Sequence, residues 1–231
     1  MNSQATTNWI RAGLITLPIY GLLTAWSSFK PQPDQTTDPQ GWAEFVSSSS
    51  YLISHLIGST GGTILAIFAT IALGAYLAGS KSGRLALAAM VVAAAGHALL
   101  LIPAVISTFA TPALGRAYLS GIPGVMQVEF SDAMTMTFML GLLLALVGNL
   151  LLGVAIWRSG RLPRWAGASW IAATLVFYVL GVVLGVATTG SSLPTQSIGA
   201  LLIAASGGWI ALSTFHRNPV VLPTFQAQTG V

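Results

Sequence analysis

The sequence predicts an all-α, polytopic membrane bundle of about six transmembrane helices, and three observations carry that prediction. Charged residues make up 6% of the 231 positions, hydrophobic residues 54%, and mean hydropathy is +0.78, whereas soluble domains carry roughly 25% charged residues. The apolar residues are gathered into six long stretches separated by short polar turns. Lys and Arg concentrate in alternate turns, the pattern left by an even number of crossings.

The stretches run from Ile10 to Phe29, Tyr51 to Gly79, Leu85 to Phe109, Ala133 to Trp157, Trp165 to Thr188 and Leu193 to Thr214. Each meets the ~20 residues that a helix needs to cross ~30 Å of hydrocarbon. Strands are excluded because an isolated apolar strand leaves its amides unpaired in lipid, and barrel strands alternate polar and apolar residues. The first stretch is read as a retained helix rather than a signal peptide: its leader is polar, Arg11 is its only charge, and no small-x-small cleavage site follows. Once the six spans are removed, only loops and tails remain, so residues 1–231 form a single membrane domain.

Charge sets the expected orientation. Arg11, Lys81, Arg84, Arg158, Arg161, Arg164 and Arg217 all fall on one face of a six-span topology, which the positive-inside rule makes cytoplasmic. The other face receives two long loops, Lys30 to Ser50 and Ala110 to Asp132, with all five acidic residues: Asp34, Asp38, Glu44, Glu129 and Asp132. Both termini are then cytoplasmic. The net charge of +4 is divided among separate turns without a basic run, so nucleic acid is not expected as a partner. Cysteine is absent, which removes disulfides, thiolate metal sites and thiol chemistry.

In the first long loop, Lys30 to Gly41 is rich in Pro, Asp and Gln and reads as a solvated connector. Trp42 and Phe45 are expected at headgroup level. The second loop, with Pro112, Tyr118, Pro123 and Phe130, is expected to cover the bundle mouth. Gly58 and Gly62, and Gly181 and Gly185, have the four-residue spacing at which two helix backbones approach closely. Pro18 and Pro103 predict kinks, and Pro163 a helix start.

Ionisable and amide groups inside the spans are the candidate site, because such groups are costly in lipid and face protein or a water cavity. His55 shares a small, polar helical stripe with Tyr51, Gly58, Ser59 and Gly62. His97 sits near the middle of the third span, with Asn149 of the fourth as its expected partner. Glu129 and Asp132 are the acids within reach of His55, with Asp132 also a candidate helix cap. Three readings stay open. His55 and His97 could be axial ligands of haem b in an electron-transfer protein, although they differ in depth by on the order of 10 Å at 1.5 Å per residue. They could serve interhelical hydrogen bonds worth ~0.6 kcal/mol on average, or line a small-ligand or proton site. His216, beyond the sixth span, reads as a solvated tail residue.

No metal centre is expected. Met126, Met134, Met136 and Met139 crowd the start of the fourth span, but Met134 and Met136 point to different helix faces, so packing is the better account. No span contains a lysine for a Schiff base, and zinc, phosphate-loop and nucleophile-elbow motifs are absent. The reading is therefore a non-catalytic multi-pass protein with an intramembrane polar site for packing or a small ligand. An accessory subunit of a larger membrane complex, or a homo-oligomer, is the remaining alternative.

The stretch Leu152 to Leu180 contains Arg158-Ser159-Gly160, then Leu162-Pro163-Arg164, then Gly167. It resembles the turn between helices four and five in a broad set of uncharacterised bacterial six-helix membrane proteins, classed as a domain of unknown function. That resemblance implies the same bundle architecture in a bacterial inner membrane, and no activity.

Overall fold

The computed structural model describes residues 3–128, 131–189 and 192–215. Among these residues the chain forms seven helices: α1 (Ser3–Ser27), α2 (Pro39–Ser47), α3 (Ser49–Leu77), α4 (Gly83–Leu119), α5 (Asp132–Ser159), α6 (Arg164–Thr188) and α7 (Thr195–Phe215). A short 3₁₀ turn, Pro123–Gln127, lies between α4 and α5. Five of the helices, α3 to α7, are long and apolar enough to cross a membrane. The first expected span, Ile10 to Phe29, falls on α1, a helix of 25 residues that also carries Asn8, Arg11 and four threonines and is not among those five.

Burial is inverted relative to a soluble bundle. The core is dominated by small residues such as Ala66, Ala93, Ala145, Ala155 and Ala173, while Phe68, Val91, Leu143, Leu201 and Leu212 face outward. Lipid tails are as apolar as leucine, so large side chains gain nothing by turning inward, and close backbone packing holds the helices together. At Gly148 an added Cβ would run into the backbone of Ala93, and at Gly96 into that of Ala145, so the α4–α5 contact depends on these glycines. Gly58 and Gly62 do lie against α1, and Gly181 against Gln196. α1 rests between α3 and α7, and α6 between α5 and α7.

Helix ends follow local chemistry. Gly160, at φ +67°, ends α5 in the left-handed conformation that a residue with a Cβ adopts at a cost. Ser159 Oγ accepts from the amides of Arg161 and Leu162 in the same turn, and Pro163 caps the start of α6 as its sequence position predicts. Lys81, Arg84, Arg158, Arg161 and Arg164 gather at one end of the bundle, here the basic end. α2 and the acids Asp34, Asp38 and Glu44 lie at the other.

Two boundaries differ from the sequence expectation, and one cause accounts for both. α4 continues ten residues past Phe109, through Pro112, to Leu119. The Asp38-Pro39 pair, expected within a connector, starts α2, with Asp38 Oδ1 accepting from the Gly41 amide at 2.9 Å. α2 then buries Trp42, Ala43 and Val46 against the α4 extension, with Leu114 and Tyr118 packed on the same cluster. Trp42 is therefore covered by protein rather than placed among headgroups. Tertiary burial has outweighed the proline signal, which otherwise ends a helix.

Candidate functional site

Both interruptions of α-helical geometry within the long helices fall on one region. In α3, residues His55–Gly61 are wound as π-helix, and in α6, Leu175–Val183 are. The extra residue per turn rotates the side chains that follow it, and π segments are frequent at functional sites. These two segments face a cavity of about 350 Å³ in the half of the bundle nearer α2, to which all six long helices contribute.

Its walls carry hydroxyls and apolar groups. Thr24 and Ser27 come from α1, Ser59 and Thr63 from α3, Pro103 and Ser107 from α4, Phe138 and Leu142 from α5, and Phe177, Tyr178 and Val182 from α6. Ser192 and Gln196 close the side next to α7. Several hydroxyls are satisfied locally: Ser27 donates to the Thr24 carbonyl and Thr63 to that of Ser59. Toward α2 the cavity continues through Ser27, Ser59 and Gln196 into a mouth of about 390 Å³ lined also by Lys30, Gln32 and His55. From that mouth a further groove of about 700 Å³ runs down the outside of the bundle past Leu22, Trp26, Ile53 and Leu201. Ser27 borders all three spaces.

Behind the cavity lies a buried polar chain. His97, 4% exposed, donates its Nδ1–H to the Ala93 carbonyl at 2.8 Å, which leaves Nε2 as an acceptor. The Tyr178 hydroxyl donates to that nitrogen at 3.2 Å. The Tyr20 and His97 rings meet edge to face, their centroids 6.2 Å apart. Helices α1, α4 and α6 are thereby tied together at mid-bundle. Asn149, expected as the partner of His97, instead donates to the Ala145 carbonyl one turn back on its own helix.

His55 stands apart from this chain. Its ring stacks on Tyr51 at 3.7 Å between centroids, and its Nδ1–H donates to the Tyr51 carbonyl at 3.0 Å. Tyr51 is buried, with its hydroxyl on Ser107 at 3.1 Å. The structure thus joins His55 and Tyr51, as their spacing suggested, and brings neither to His97. Both His97 nitrogens are occupied, and its ring does not border the void beside His55. A haem iron could take Nε2 only by displacing Tyr178.

Asp132 lies exposed in the first turn of α5, where Ser131 is the cap residue, and it borders neither the cavity nor its mouth. Glu129, Phe130 and His216 lie outside the described residues. Sequence reasoning passed over Tyr20 and Tyr178. The signal for both was the phenolic hydroxyl in mid-span, a polar tip that seeks a partner when buried.

The family model for a domain of unknown function (DUF4386) matches residues 31–195, a range that takes in α2 to α6 with His55 and Tyr178 and leaves out α1 and Lys30. No curated protein and no solved structure matches the chain.

Proposed function

The chain belongs to the DUF4386 family, and from that premise we propose that it is a multi-pass membrane protein that binds a small ligand in the cavity between its six long helices, without chemistry of its own. The observation that carries this reading is the convergence of both π segments on one hydroxyl-lined space. Ligand sites are concave and largely apolar, with a few placed polar groups, and they occur between the helices of bundles. In this reading His55 and Tyr51 shape the mouth, while Tyr20, Tyr178 and His97 hold the cavity wall rigid. Asn149 serves packing, and Asp132 supplies negative charge on the same side. The basic end faces the cytoplasm of a bacterial cell by the positive-inside rule, so the cavity opens to the opposite side.

The natural lack of cysteine makes the test clean. Thr63→Cys should react with a small, water-soluble maleimide applied from the non-cytoplasmic side of oriented vesicles. Adding Ser59→Trp should block that reaction, and Ala173→Cys, fully buried away from the cavity, should stay unlabelled. A Thr63→Cys protein that resists labelling, or that labels only from the cytoplasmic side, would sink the reading.

A further inference from the structure

We propose that the ligand is a single-chain lipid with an anionic head, which enters from the bilayer and seats its head in the mouth beside Lys30; this rests on the cavity reading above. The donor inventory of the mouth motivates the choice. Lys30, the amides of Gln32 and Gln196, and the hydroxyl of Ser59 all border it, and none of these four groups has a hydrogen-bond or ion-pair partner among the described residues. Among the described residues no carboxylate borders it. A concavity with a lysine ammonium and three neutral donors, and no competing acid, matches an oxyanion head, and hydrogen bonds to charged groups are the stronger kind.

Charge around the mouth sharpens the point. At this end of the bundle the described acids Asp34, Asp38, Glu44 and Asp132 outnumber the cations Lys30 and Arg116. Lys30 borders both the mouth and the groove, and none of those acids lines either space.

The route from the bilayer is the second observation. The groove between α1 and α3 is apolar along Leu22, Trp26 and Ile53 and meets the mouth at Lys30 and His55. It faces outward, where Leu22 is 54% and Trp26 49% exposed. An amphiphile lying in this groove keeps its chain at hydrocarbon depth while its head reaches the donors, so binding does not require it to leave the membrane. A chain held against the groove gains nearly nothing relative to lipid, which is as apolar as the groove. Selectivity therefore resides in the head.

The experiment uses the full chain in phosphatidylcholine nanodiscs, with tritiated palmitate as the probe and hexadecanol, acetate and inorganic phosphate as competitors. Saturable palmitate binding above that of empty nanodiscs is expected, with hexadecanol and acetate competing at least tenfold more weakly. Lys30→Gln should weaken palmitate roughly tenfold, the equivalent of ~1.4 kcal/mol, without changing the thermal unfolding midpoint, because Lys30 is exposed and makes no contact that the fold needs. Binding no greater than in empty nanodiscs would overturn the inference, as would equal competition by hexadecanol, or full competition by acetate or phosphate, which would mark a site for free anions. Labelling of Thr63→Cys that succeeds while palmitate fails leaves the cavity reading standing and removes only the lipid.

Discussion

His97 is held in a protein interior with no charged neighbour, and its two nitrogens are satisfied by groups of opposite kind, a carbonyl and a phenol. The direction of the second bond then follows from the tautomer: Tyr178 donates to His97, while Tyr20 meets the imidazole only through its ring. The two tyrosines are therefore unequal. Tyr178→Phe strands a buried imidazole acceptor and is expected to lower stability by ~1–3 kcal/mol. Tyr20→Phe keeps the edge-to-face ring contact with His97 and should lower it by less. Thermal unfolding of the two variants in one detergent checks the order, and equal effects would reject the assigned direction. Asp34 offers a second test at this scale. Its carboxylate accepts from the amides of Thr36 and Thr37 at 2.8 Å and from the Thr37 hydroxyl, and these bonds, led by the Thr37 amide, hold its pKa below the usual value. A depressed folded-state pKa gives a contribution present above the unfolded value of about 3.9 and lost as pH falls through the folded one. The turn should stay closed at pH 5 and open only below about pH 4. An NMR titration of the Thr36 and Thr37 amides would show it, and a midpoint above the ordinary aspartate value would count against it.

Among the elements, α4 and α5 form the closest pair, and glycine makes the closeness available. Because a Cβ on Gly148 would meet the Ala93 backbone, which cannot rotate away, Gly148→Val should destabilise by at least the ~1–3 kcal/mol typical of overpacking. Gly208→Val is the control, since its only close neighbour is the Pro18 side chain at 3.9 Å. Unfolding midpoints that shift alike would mean that the interface is looser than its geometry. The π segments belong to this scale as well. Neither is visible in hydrophobic periodicity, because the inserted residue is apolar or small and the stretch reads as uninterrupted helix. The same limit explains α4: a helix through Pro112 looks unfavourable until α2 is known to lie across it.

For the molecule as a whole, charge and apolar length decide the arrangement. The three arginines of the α5–α6 turn lie at one end with Lys81 and Arg84, and the described acids lie at the other. Replacing Arg158, Arg161 and Arg164 together by Gln should yield a mixture of orientations, read by labelling single cysteines in the α3–α4 turn from each side. A population of single orientation would show that another signal governs insertion. The sequence by itself determined the all-helical class, the five long apolar helices α3 to α7, the segregation of charge, and the turn at Gly160 and Pro163. Those features depend on local composition and on the requirement that every backbone group in lipid be paired within its own helix. Only the tertiary structure decided which polar groups meet. His97 pairs with Tyr178 rather than Asn149, His55 stays apart at a mouth beside Lys30, and the cavity forms where six helices diverge. Those outcomes depend on helix rotation and on register between segments far apart in the chain, and two π turns reset both without leaving a mark in the hydropathy.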